Sequence, residues 1–174
     1  NPCGEIPLGP YDSCRLIHLN LSSFVELPYT EVPRVNWKFL YEMSYDLTML
    51  ADDLVDLEIE AVERILQKAK LDGDFVEFKL WQKIKETALK YRRVGIGFTG
   101  LADAIAAMNL RFGDENSLAL IHRIMSTIFK AQLDATIDMA IIRGTFEGYD
   151  GELEREEENS WFKMVKNLYP EQYQ

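Results

Sequence analysis

In NPCGEIPLGPYDSCRLIHLNL, the first 21 residues, a cysteine stands between an asparagine and a glutamate, so that Asn1, Cys3 and Glu5 alternate along the chain. If the loop is extended, residues at i−2, i and i+2 point to one side. Such a set offers a sulfur for radical or nucleophilic work, a carboxylate for proton transfer and an amide for hydrogen bonding to a substrate. A rigid Pro/Gly loop carrying a bystander thiol has the same composition. Cys14 is the second of the two cysteines. A redox pair, a single local disulfide or two unrelated thiols all fit this usage, and a disulfide framework does not.

Two further patterns could carry chemistry. GIGFTG, residues 95–100, satisfies G-x-G-x-x-G. A dinucleotide site needs a hydrophobic strand before it and an acidic residue about 20 positions on. Here LKYRRV precedes and a helical pattern follows, so the glycines read as a tight strand-to-helix turn with close packing. DDLVD, residues 52–56, matches the D-D-x-x-D pattern that holds magnesium against diphosphate groups on a helix. No second such motif accompanies it, and a solvated helix face or a set of caps and salt bridges is the better expectation. His18 and His122 are isolated, with no Cys, Asp or Glu at the spacing of a zinc or di-iron set.

The elements that must position these residues follow from the pattern of breakers and periods. Three prolines and two glycines in residues 1–10 predict an ordered loop. Residues 12–21 predict a strand buried on both faces, since neither alternating set is cleanly polar. Residues 36–144 read as long helices interrupted by a short strand near 93–97. Asn36 caps a helix with three-four spacing from Phe39 and Leu40 to about Lys70, long enough to expect a bend near Ile59. LDGD stops it, and a second helix spans about Phe75 to Tyr91. After the glycine block a helix starts near Gly100, and another runs from Asp114 or Asn116 to Gly144. Residues 151–174 form an acidic tail with a short helix at 161–168. Two strands separated by helices suggest parallel pairing, yet two strands cannot bury both faces of a sheet. Further strands are therefore expected from outside this chain.

Bulk composition narrows the classes. The 174 residues are 47% hydrophobic and carry a net charge of −10, with Arg92 and Arg93 the main basic cluster. Direct nucleic-acid binding is not expected from that field. No run of about 18 apolar residues and no signal-peptide pattern occurs, so a cytoplasmic, non-membrane protein is expected. The first residue is Asn rather than Met, which suggests processing or a segment of a longer chain.

NPCGEIPL, with a second cysteine eleven positions after Cys3 opening a strand that ends in Asn-Leu, resembles ribonucleotide reductase large chains. RRVGIGFTGLADAIAAM and DATIDMAIIRGTFEGYD resemble later blocks of the same family, and the overall likeness is greatest to its adenosylcobalamin-dependent, class II branch. CRLIHLNL replaces the more familiar CNLGSINL. The resemblance implies an α/β fold in which this chain is a mainly helical partial segment of a ten-stranded α/β barrel. It implies that Cys3 is the thiyl-radical residue, Glu5 the carboxylate that accepts the ribose 3′-hydroxyl proton and Asn1 the amide that holds substrate. Cys14 matches one of the two reducing thiols. Adenosylcobalamin as radical source, a thioredoxin-type dithiol reductant, a ribonucleotide substrate and the remaining parts of the reductase are the implied partners. Alone, such a segment is expected to be inactive and to self-associate through unpaired strand edges. The alternative is a non-catalytic acidic helical interaction module in which both thiols are incidental.

Overall fold

The computed structural model describes residues 8–154 and 160–170. Its frame is a parallel strand pair joined by a helical hairpin. Strand β1 (Arg15–Asn20) pairs with β4 (Val94–Thr99), with Leu16 opposite Gly95, His18 opposite Gly97 and Asn20 opposite Thr99. A 3₁₀ turn at Leu21–Phe24 follows β1, and β2 (Val25–Glu26) and β3 (Arg34–Val35) form a small antiparallel ladder. Helix α1 (Trp37–Asp72) and α2 (Phe75–Tyr91) then carry the chain to β4. Beyond it come α3 (Leu101–Ala107), α4 (Glu115–Arg143), the single turn α5 (Gly151–Glu154) and α6 (Ser160–Leu168).

Local chemistry sets the helix ends. The Asn36 side chain accepts from the Phe39 amide at 3.0 Å, satisfying one of the orphan donors at the start of α1. Gly73, at φ 73°, closes that helix in the left-handed conformation. Asp74 next to it accepts from the Val76 and Glu77 amides and starts α2. Asp114 likewise starts α4 by accepting from the Ser117 amide, and Gly144, at φ 81° and ψ 171°, follows its last residue. Ile59 lies inside one continuous helix of 36 residues.

The core shows why α1 and α4 lie close together. Leu19, Leu21, Phe24, Val35, Leu40, Ala104, Ile124 and Ile128 form a buried cluster beneath β1. Farther along α1 the buried stripe is Ser44, Thr48, Ala51 and Val55, not the larger residues Leu50 and Leu57, which stay exposed. Ser44 and Thr48 donate their hydroxyls to carbonyls one turn back, so burial leaves neither unsatisfied. Two tyrosine-aspartate bonds tie the same helices together. Tyr41 donates to Asp134 at 2.5 Å and Tyr45 to Asp138 at 2.7 Å.

Two expectations are corrected. Gly95 and Gly97 lie within β4, which runs to Thr99 rather than ending near 97, and only Gly100, at φ 69°, makes the turn into α3. β1 is not buried on both sides: Leu16, His18 and Asn20 are exposed, while Leu19 on the other face is buried. The physical reason is that α1 packs on one face only, and among the described residues nothing covers the other.

Candidate functional site

The open face of the β1–β4 pair carries the site. Strand alternation puts Cys14, Leu16, His18 and Asn20 on one side, and the register sets Gly95 and Gly97 beside them. A Cβ on Gly95 would stand 2.5 Å from Leu16 Cδ2 and 3.1 Å from Cys14 Sγ. One on Gly97 would meet the His18 ring at 2.9 Å from Cδ2 and 3.2 Å from Nε2. The 2.5 and 2.9 Å approaches are closer than real Cβ contacts, so at either position a larger residue would force the Leu16 or His18 side chain to shift. Gly100 likewise leaves room for the Asn20 carbonyl oxygen, which accepts from the Ser22 amide and hydroxyl. The result is a low floor beside a thiol, an imidazole and an amide.

Cys14 is held from both sides. Asp12, with its side chain 1% exposed, pairs with Arg93 Nε at 2.5 Å and accepts from the Ser13 amide at 2.9 Å. Arg15, with its side chain 9% exposed, pairs through Nε with Glu58 on α1 at 2.5 Å. Its Nη1 donates to the carbonyls of Ser13 and Arg93 at 3.1 and 3.5 Å, and the Arg15 amide also donates to Arg93 O. Sequence reasoning missed this grouping, because Glu58 and Arg93 lie 43 and 78 residues from Arg15 and no local spacing announces them.

The acidic motif does different work. Asp52 accepts from Arg92 Nε at 2.7 Å and Arg143 Nη1 at 2.6 Å, Asp53 pairs with Arg143, and Asp56 pairs with Arg92. Burial pushes the Asp52 carboxyl up, but the hydrogen bonds from both arginines outweigh it and hold it below the ordinary aspartate range. Hydrogen bonds to Asp52 and its neighbours raise both guanidinium groups in turn. With every carboxylate of the motif engaged by arginine, its role is to join α1 to the ends of α2 and α4, as the salt-bridge reading expects. Arg92 reaches these acids from a left-handed backbone, φ 44°, at the end of α2.

Among the sequence-derived site residues, Cys14 lies at the head of β1, whereas Asn1, Cys3 and Glu5 lie outside the described residues. His18 stands on the Cys14 face; His122 is exposed on α4. No described helix is long and apolar enough to cross a membrane.

Comparison with known proteins bears on the whole of this frame. The family model described as ribonucleotide reductase, barrel domain, matches residues 1–172. A vitamin B12-dependent ribonucleoside-diphosphate reductase of Mycobacterium tuberculosis (strain CDC 1551 / Oshkosh) is 30% identical over 149 residues, covering 86% of this chain and 18% of the relative. The protein of that name from Thermoplasma acidophilum is 29% identical over 157 residues, covering 90% and 17%. The ribonucleoside-diphosphate reductase large subunit of Plasmodium falciparum (isolate Dd2) is 26% identical over 138 residues, covering 79% and 14%. This chain thus spans less than a fifth of the length of these curated relatives. Its few strands and long helices are those of a segment of the barrel rather than of a closed one. Matched over almost its whole length, the chain belongs to the ribonucleotide reductase barrel-domain family.

Proposed function

We propose that this chain contributes part of the catalytic barrel of a ribonucleotide reductase, and that the open β1–β4 face forms part of the wall around a ribonucleotide. The observation that carries the reading is the placement of Cys14. Its sulfur lies over the bare backbone of Gly95, at the head of a strand whose matching face is uncovered.

The roles follow from the family pattern. Cys3, as a thiyl radical, takes the 3′ hydrogen atom of the ribose while Glu5 accepts the 3′-hydroxyl proton and Asn1 holds the substrate. The 2′ hydroxyl then leaves as water, with a proton supplied by one of two reducing thiols. Cys14 is one of that pair, which loses two electrons and two protons and closes to a disulfide. Return of the hydrogen atom to the 3′ carbon restores the radical on Cys3. The balance is ribonucleotide plus two thiols to deoxyribonucleotide, water and disulfide, and an external dithiol of the thioredoxin type resets the pair by exchange.

The B12 dependence in the names of the mycobacterial and Thermoplasma relatives supports adenosylcobalamin as the radical source, whose chemistry is homolysis of its cobalt–carbon bond. The described residues do not themselves form a seat for a corrin. Two concavities among them, of about 380 and 300 Å³, open on α1 around Phe39 to Asp46 and beside Tyr11 and Phe75. Neither includes a residue of the strand face.

Turnover assays on the complete reductase carrying this chain test the reading. Cys3→Ala is expected to abolish product, Cys14→Ser to abolish repeated turnover with a dithiol protein, and Glu5→Gln to slow the reaction about 10²–10⁴-fold. Full turnover in the Cys3 or Glu5 variant would show the assigned roles to be wrong.

A further inference from the structure

Cys14 sits between two half-buried ion pairs, each with one buried partner, Arg15 or Asp12, and both act on the backbone of the residue before it. Asp12 accepts the Ser13 N–H with one carboxylate oxygen and pairs with Arg93 through the other. Arg15 takes the Ser13 carbonyl with Nη1 while its Nε pairs with Glu58. The Arg15 amide is bonded to Arg93 O, which also accepts from Arg15 Nη1. Thus each backbone polar group of Ser13 is held by an ionised side chain, and each of those is anchored elsewhere, on α1 through Glu58 or at the head of β4 through Arg93. Arg15 Nη2 is buried with no partner among the described residues, although Nε and Nη1 of the same guanidinium are engaged.

From this geometry we infer that Arg15, with Glu58, and Arg93, with Asp12, are positioning residues for the Cys14 thiol. The inference rests on the proposed role of Cys14 as a reducing thiol. Ion pairs are weak contributors to stability, exposed ones because water and salt screen them and buried ones because apolar residues of similar volume serve as well or better. A disulfide, by contrast, tolerates little error: the two Cβ atoms must come within about 3.5–4.5 Å with a restricted dihedral angle. With the Ser13 and Arg15 backbone clamped, closure of the pair is confined to rotation of the Cys14 side chain. The planar fork of Arg15 is essential, because it holds a carboxylate and two carbonyls at once, which an ammonium group on a flexible stem does not.

The test is single turnover by the complete, fully reduced enzyme with no external reductant, reading rate and amplitude separately. Glu58→Gln and Arg15→Met should slow product formation by about 10- to 100-fold with amplitude retained and the nucleotide KM little changed, as expected for a displaced reacting group. Arg15→Lys should not recover the rate. Arg34→Ala, which removes an exposed pair with Glu26, serves as the control and should leave the rate unchanged. Parent-like rates in both the Glu58 and Arg15 variants, a loss confined to amplitude, or full recovery by lysine would overturn the inference. Cys14→Ser separates the two levels. If it keeps repeated turnover, the reading of Cys14 itself fails and the clamp with it; if it loses turnover while the clamp variants do not slow, the inference alone fails.

Discussion

Ile17, Leu19, Ile96 and Phe98 cover one face of the β1–β4 pair, whereas Gly95 and Gly97 leave the other bare beside Leu16 and His18. The first face is specified by what packs on it, with α1 and the core cluster lying against it. The second is specified by side chains that are missing. One strand pair therefore serves as scaffold on one side and as the floor of a candidate pocket on the other, and substitutions on the two sides should fail in different ways.

The largest difference is expected between equivalent truncations, followed by urea unfolding. Leu19→Ala, at a residue 5% exposed, should cost about 2–5 kcal/mol through lost burial and the cavity left behind. Asp52→Asn, on the helical side, should cost about 1.5–3 kcal/mol by stripping two arginines of their shared partner. The pH dependence has a definite sign. Because the folded-state pKa of Asp52 is depressed, its contribution is present above the unfolded value of about 3.9 and lost as pH falls through the lower folded value. Asp52→Asn should therefore flatten the acid limb of a stability profile below about pH 4.

Gly97→Ala sharpens the contrast from the open side. It should cost about 1 kcal/mol, since its Cβ meets the His18 ring, and adding His18→Ala should recover most of that. Additive effects would mean that the floor is not fitted to the imidazole. Tyr41→Phe should cost about 1 kcal/mol at neutral pH through the bond lost to Asp134. Burial and that bond push Tyr41 up to about 12, so its contribution is complete below the unfolded value near 10 and lost as pH rises through about 12. The variant should lack that alkaline limb. Leu16→Ala, at a residue 50% exposed, should move the unfolding free energy of this chain by no more than about 0.5 kcal/mol.

Local signals made much of this architecture legible. Asn36 and Gly144 mark helix ends as the sequence predicts, Asp114 rather than Asn116 starts α4, and within the LDGD break Gly73 closes α1 while Asp74 caps α2. Parallel pairing followed from a strand, long helices and a second strand. The two-residue ladder of β2 and β3 has too short a pattern to stand out. In the sequence Gly95 and Gly97 read as turn residues because glycine is ordinarily explained by backbone freedom; in the structure they lie in β4 against the Leu16 and His18 side chains across the ladder, 79 positions away. The close face of α1 was hidden for a related reason, since Ser44, Thr48 and Ala51 register weakly in an apolar period although helix approach depends on their smallness. Cys14 could be singled out from its motif, but the charges around it could not, because ion pairs between distant segments leave no period in a sequence.

Arg92 and Arg93 are neighbours whose side chains leave in different directions, one to Asp52 and Asp56 on α1 and the other to Asp12 two residues before Cys14. A single peptide bond thus separates the residue that engages the helical layer from the residue that engages the root of β1, so a shift of the backbone at that bond bears on both sets of ion pairs.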